Sequence, residues 1–365
     1  MWKQPEYQLI SLCSRLNIDS ACRQKLLSLL NSPIDWNKVT KASDQQGILP
    51  FVYYNLNKPE FKAGVPENLM LIMKNFYDQN LHKNLLFEKE LSSLIELTNN
   101  ENIDIIPIKG FSLIQNLYKN PALRILADID ILIKKNNTQK MCDILDKLGY
   151  KEQTREMMGP KHERDPHEII FIKPLPFNNS LMIELHHAFV PPRPNPINLP
   201  GIWERAQKAA IGSKKILYLS EEDNLLSLTL HLRRHTRWLA LRHVVDIAES
   251  ISANHYKLDW VYIEKSARNN KAMMSVYFSF YLAQELLGTA IPLEIIDRFR
   301  PNALKAFLIR FAVNKNSFFS LKKYYGTLIR FLLFDNFSGF LVYLWKVSFM
   351  ERFIANRCFK KTVEA

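Results

Sequence analysis

Apolar residues recur at helical spacing in SACRQKLLSLL (residues 20–30) and over a much longer stretch, Asn68 to Asn100, which reads as one long helix or a close pair. Residues 1–98 are therefore expected to be helical. The period then changes. From about 100 to 190 the chain carries short runs rich in Ile, Leu and Phe between turn signals, predicting strands near 103–108, 128–133, 168–173 and 181–186. The stretch TQKMCDILDKLGY predicts a helix between the second and third strands. The Pro-rich VPPRPNPINLPG (190–201) is the best linker candidate. Beyond it, SEEDN offers a capping Ser and acids that suit a helix N-terminus, and helical periodicity continues from 202 to 365. The expected fold class is α+β, with a small core at 99–190, a linker at 191–201 and helical regions on both sides.

Chemistry concentrates on one short strand. In ADIDILI, Asp128 and Asp130 are two apart and so share a face, while Ile129, Ile131 and Ile133 bury behind them. Two like charges so close are costly unless a cation sits between them. A paired-carboxylate cradle for Mg²⁺ is what phosphoryl and nucleotidyl transfer require; a solvated strand end is the bland alternative. The surroundings favour the first. ENIDIIPIKGF reads as a strand turning at Lys109-Gly110 into a helix through Ser112, Leu113, Leu117 and Tyr118. Such a turn leaves backbone N–H groups ready for an anion, with Lys109 beside them. Arg124 follows in a Pro-bearing loop. In SLMIELHHAF, Met182, Glu184 and His186 share one face and Leu181, Ile183 and Leu185 the other. A lone acid inside an apolar strand is expensive. Glu184 could complete a metal site, act as general base on an acceptor hydroxyl, or face solvent near a sheet edge. No Cys/His spacing resembles a zinc site.

With these residues in hand, IPIKGFSLIQNLYKNPALRILADIDILI resembles the signature of the bacterial "nucleotidyltransferase family protein" group of the DNA polymerase β-like superfamily. Lys109, Gly110, Leu117, Tyr118, Arg124, Asp128 and Asp130 meet its pattern, and Glu184, Leu185 and His186 meet its later acid-Leu-His strand. His231, His235, Asp246 and Ile247 meet a helical His-x3-His and Asp-Ile pattern. Two positions depart: Lys109-Gly110 stands where classical members carry Gly-Ser, and Ala127 where a Gly is common. The resemblance implies a polymerase β-like core, a small mixed sheet with flanking helices. It implies transfer of an NMP from an NTP to a hydroxyl-type acceptor (small molecule, peptide or protein), with release of pyrophosphate. Asp128, Asp130 and Glu184 would be catalytic and hold two Mg²⁺ ions, or Mn²⁺. Lys109, Gly110 and Ser112 would touch phosphate oxygens, Arg124 would orient a carboxylate or the triphosphate, and His167 and His186 would face the same cleft. An RNA acceptor, or a non-catalytic membrane- or partner-binding role on the same fold, are the alternatives.

Composition adds less. A chain of 365 residues, 47% apolar, can bury a full core. Cys13, Cys22, Cys142 and Cys358 lie scattered, as expected in a reducing cytoplasm, and the N-terminus does not read as a signal peptide. Net charge is +13, and residues 303–365 carry 11 Lys/Arg against 3 Asp/Glu with 15 aromatics. That mixture suits a basic outer face on a helical bundle, an anionic membrane surface (placing the protein at the inner face of the membrane) or nucleic acid. FLLFDNFSGFLVYLWKVSFM approaches membrane-spanning length, but Asp335 and Lys346 interrupt it. His231, Arg234, His235, Arg242 and Asp246 recur at helical spacing, where packing on the core or contact with a phosphate is expected ahead of metal binding.

Overall fold

A computed structural model describes residues 4–153, 168–175, 179–188, 201–212, 214–236, 239–254, 257–314, 318–319 and 323–335. His167, Cys358, nearly all of the Pro-rich linker and the tail after Asp335, Lys346 included, lie outside the described residues.

The N-terminal region is helical as the periodicity predicts: α1 (Pro5–Cys13), α2 (Ser20–Leu30), α3 (Trp36–Gln45), α4 (Leu49–Leu56), α5 (Pro59–Lys62) and α6 (Glu67–Asn100). Asp19 and Asp35 accept the Cys22 and Lys38 N–H groups, supplying the N-caps of α2 and α3. The long apolar stretch is a single helix, α6, rather than a pair.

The sheet order is β1-β2-β5-β4-β3, built from β1 (Ile105–Ile108), β2 (Ile129–Ile133), β3 (Lys151–Glu152), β4 (Glu168–Leu175) and β5 (Asn179–His186). β2 runs antiparallel to β1 and parallel to β5, and β4 runs antiparallel to both β5 and β3. Between β1 and β2 come α7 (Lys109–Leu113) and a π-helical turn (Ile114–Tyr118), and α8 (Thr138–Lys147) follows β2. Ile129, Ile131, Ile183 and Leu185 are completely buried, which fixes the opposite face of β2 and β5 as the one that carries Asp130, Glu184 and His186.

The helical reading from 202 onward is interrupted. After a short α9 (Ile202–Arg205), residues Gln207–Ile211 and Lys214–Tyr218 form a hairpin, β6–β7, turning at Gly212 with φ +60°. Gly-Ser is a two-residue hairpin turn signal, hidden here because the flanking QKAAI and KKILY alternate only weakly. The hairpin binds α6, where Asn99 and Lys215 exchange hydrogen bonds of 2.8 and 2.9 Å. Helices then follow: α10 (Glu221–Arg234), α11 (Leu241–Asn254), α12 (Trp260–Asn269), α13 (Met273–Leu287), α14 (Leu293–Phe299), α15 (Ala303–Ala312) and α16 (Lys323–Leu332). Ser220 caps α10 as its SEEDN start predicts.

Long-range contacts tie this region to the N-terminal helices. Ser11 Oγ donates to the Leu286 carbonyl at 2.5 Å, and Arg15 to the Leu287 carbonyl at 2.7 Å. Asp335, one of the charges interrupting the last apolar run, accepts the N–H groups of Met273 and Met274 at the start of α13. Among the described residues no helix is long and apolar enough to cross a membrane.

Candidate active site

The β2–β5 pairing builds the site. Asp130 lies directly opposite Glu184 in the parallel register, and His186 stands two residues further along β5. Each of these side chains therefore emerges on the same face. His186 Nε2 lies 2.7 Å from Asp130 Oδ1 and 3.4 Å from Glu184 Oε2. Asp128, just before β2, shares the face of Asp130 and is half-buried.

Lys109 completes the cluster. The left-handed turn after β1 falls on Lys109 (φ +56°) rather than on Gly110. A lysine there costs about 1–3 kcal/mol and persists only when its surroundings over-determine it. Here they do: Lys109 is buried and its Nζ lies 2.5 Å from Asp130 Oδ1. Gly110 is needed for a different reason. A Cβ at 110 would sit 2.5 Å from Leu126 Cδ2, so any larger residue there would have to displace the buried Leu126 side chain.

The charges hold each other. Burial alone would raise the Asp130 carboxyl, but Lys109 and the His186 hydrogen bond outweigh it and keep it well below the usual carboxylate range. Burial, then the charges of Asp130 and Glu184, push Asp128 up. Burial and Lys109 work to lower His186, yet its bonds to Asp130 and Glu184 leave it raised. Burial also works against the Lys109 ammonium, which Asp130 and Glu184 hold above its ordinary value. Three carboxylates thus crowd one face, and Asp128 accommodates by favouring its proton.

That crowding is the test of whether a divalent ion fits. Asp130, Glu184 and His186 each offer a ligand atom, all within 4.8 Å of one another. The Asp130 and Glu184 carboxylates, with Asp128 on the rim, are hard oxygen donors that suit Mg²⁺ or Mn²⁺, while the His186 imidazole is engaged with Asp130. The residues fit.

Arg124 is placed by a second network. Asn84 Nδ2 on α6 donates to the carbonyls of Pro121 and Arg124, fixing the loop. The Arg124 guanidinium then grips Asp246 of α11, with Nε 2.9 and 3.0 Å from its two oxygens and Nη2 2.9 Å from Oδ2. Tyr118 Oη donates to the same carboxylate at 2.6 Å. Tyr118 ends the π-helical turn, whose Lys119 N–H reaches back to the Ile114 carbonyl at 2.8 Å; such turns often mark functional sites. The carboxylate paired with Arg124 comes from the helical region.

A cavity of about 200 Å³ opens between the two walls. Lys109, Gly110, Arg124, Asp128, Asp130 and Glu184 are among the residues that line it. Ser112 does not; its Oγ accepts from Asn116. His186 sits behind Asp130 and is also absent from the lining. Sequence reasoning missed Glu168, which lines the cavity, pairs with Arg234 at 3.2 Å and faces His186 across β4–β5. An acid at a strand start reads as solvated, and only the strand order reveals it. It also missed His243, which joins His231, His235, Arg234 and Arg242 on the far wall.

A family model described as "Uncharacterised nucleotidyltransferase" matches residues 32–288, a span that holds every one of these lining residues. No curated protein sequence matches the chain.

Proposed function

The chain belongs to this uncharacterised nucleotidyltransferase family and is a nucleotidyltransferase enzyme, and on that premise we propose that it moves an NMP from an NTP to a hydroxyl-type acceptor with Mg²⁺, releasing pyrophosphate. The observation that carries the reading is the register: Asp130 opposite Glu184 on parallel neighbours, with Asp128 two residues before, at the edge of a cavity.

Asp128, Asp130 and Glu184 would hold the ion, with His186 fixing the Asp130 carboxylate from behind. Bound Mg²⁺ supplies charge neutralisation on the phosphates and lowers the pKa of an attacking hydroxyl. Lys109 offers its ammonium to a phosphate oxygen at the same wall, and Gly110 keeps the backbone there free of side chain. Arg124, locked on Asp246, keeps a positive charge at the cavity without becoming a mobile contact. In the transfer, the acceptor oxygen bonds to the α-phosphorus as the bond to the bridging oxygen breaks. The pyrophosphate carries away that electron pair, and the hydroxyl proton passes to a carboxylate of the group.

Calorimetric titration of ATP, GTP, CTP and UTP, with Mg²⁺ and with EDTA, tests this. One nucleotide is expected to bind only with Mg²⁺, and binding should vanish in a folded Asp128→Ala/Asp130→Ala variant. Binding indifferent to both Mg²⁺ and the two substitutions would overturn the reading.

A further inference from the structure

The cavity has a second charged wall that the carboxylate group does not use. Arg242 and His243 from the first turn of α11 stand there with His231 and His235 from the end of α10. The three imidazoles cluster, with ring centroids 4.3, 5.4 and 5.2 Å apart. Among the described residues only Asp130, Glu184 and His186 bring ligand atoms within 4.8 Å of one another, so the histidine wall is not arranged for a metal.

Arg242 is its unusual member. Arg124 and Arg234 have carboxylates, Asp246 and Glu168. Arg242 has no ion pair among the described residues, and its one side-chain hydrogen bond runs from Nε to His243 Nε2 at 3.4 Å. No carboxylate comes within ion-pair distance of this half-buried guanidinium, and Asp246 and Asp128 only partly offset the cost of burying it, yet the fold fixes it in place. Gln46 does so twice, accepting the Arg242 N–H on its carbonyl at 3.2 Å and the Leu241 N–H on its Oε1 at 2.8 Å. Gly47 then makes room: its φ is +67°, and a Cβ there would lie 2.8 Å from Arg242 Cδ. A side chain at 47 would be strained and would push the arginine stem aside.

His243 adds a second, independent observation. It is 4% exposed, and its Nδ1 is buried without a hydrogen-bond partner. Because Nε2 accepts from Arg242, Nδ1 carries the ring proton and is a donor lacking an acceptor. An orphan buried donor and an unpaired guanidinium, both in the lining of one cavity, call for an anionic oxygen.

We propose that this wall is the acceptor subsite, and that the acceptor carries an anionic group, a phosphate monoester or a carboxylate, seated against Arg242 and His243 across the cavity from Asp130 and Glu184. The word acceptor rests on the nucleotidyltransferase reading above; the anion subsite does not. The donor's phosphates have Lys109 and the carboxylate group on the sheet wall, so the helical wall is left for the second substrate.

The test uses the full chain and two probes, inorganic phosphate and acetate, titrated calorimetrically without Mg²⁺. At least one probe is expected to bind wild type and Asp130→Asn alike, and the one that binds more tightly identifies the anion class. Arg242→Gln should weaken that probe at least about tenfold, the loss expected of a charge-assisted hydrogen bond. It should leave Mg²⁺-nucleotide binding intact. Arg242→Lys keeps the charge but not the fork and should weaken the probe less; it decides the matter alone if Arg242→Gln does not fold. The proposal is overturned if neither probe binds wild type, if folded Arg242 variants bind it unchanged, or if Mg²⁺-nucleotide displaces it fully. Probe binding that depends on Arg242 in a protein that binds no nucleotide would keep the subsite and remove the donor reading.

Discussion

Replacing Asp246 by Asn isolates the contact that joins the helical region to the sheet. In the native chain the buried Asp246 carboxylate accepts from Arg124 Nε and Nη2 and from Tyr118 Oη, with all three side chains at most 9% exposed. The amide keeps the shape but loses the charge, and its NH₂ must face either the Arg124 guanidinium or the Tyr118 hydroxyl. Arg124 then remains buried without a counter-ion, a situation that costs about 3–5 kcal/mol. Tyr118 loses at most one charge-assisted bond, whose value of about 1.5–3 kcal/mol overlaps with that figure rather than adding to it. Urea unfolding of Asp246→Asn should therefore show a loss of about 3–5 kcal/mol. An Arg124→Met/Asp246→Leu double variant should recover much of it, since an apolar pair removes both buried charges. A loss under about 1 kcal/mol, or the same loss when Arg124 is already Met, would refute the reasoning.

Two further outcomes follow from local geometry. Gly110→Ala should cost about 1–3 kcal/mol by overpacking against Leu126, 2.5 Å from the new Cβ, with a matching fall in urea midpoint; a neutral variant would show that the Leu126 loop yields freely. Burial, then Arg234 and Lys109 nearby, depress His235 from 6.5 to about 4. Between those values the unfolded chain binds the extra proton, so stability should fall as pH drops from about 6.5 toward 4, by roughly 3 kcal/mol for this group, and His235→Asn should flatten that limb of a denaturation series. An unchanged limb would mean that other groups set the acid sensitivity.

The carboxylate wall was legible because it depends on local periodicity. Two acids two apart on a strand, and Glu184 and His186 two apart on another, must share faces wherever the strands lie. That β5 runs parallel beside β2, setting Glu184 opposite Asp130, is a matter of strand order, which alternation alone does not encode. Lys109 was readable as a residue of the turn but not as its left-handed member, since glycine next door is the conformationally cheaper choice. Ser112 sits in the right motif yet turns to Asn116, because the tight start of α7 carries it past the cavity. The helical wall was visible as a pattern of His, Arg and Asp without a destination. Gln46 and Gly47, which fix Arg242 from nearly 200 residues away in the chain, leave no local trace at all.

The central claim is that the Asp128, Asp130 and Glu184 carboxylates receive the metal-bound nucleotide. Crystals grown with Mn²⁺ and an NTP analogue resistant to α,β-cleavage, measured at the manganese absorption edge, test it most directly. Anomalous density is expected within ligand distance of Asp130 and Glu184, with the α-phosphate beside it and Lys109 moved off Asp130. Manganese elsewhere, or nucleotide bound away from these carboxylates with the Lys109–Asp130 pair intact, would contradict it.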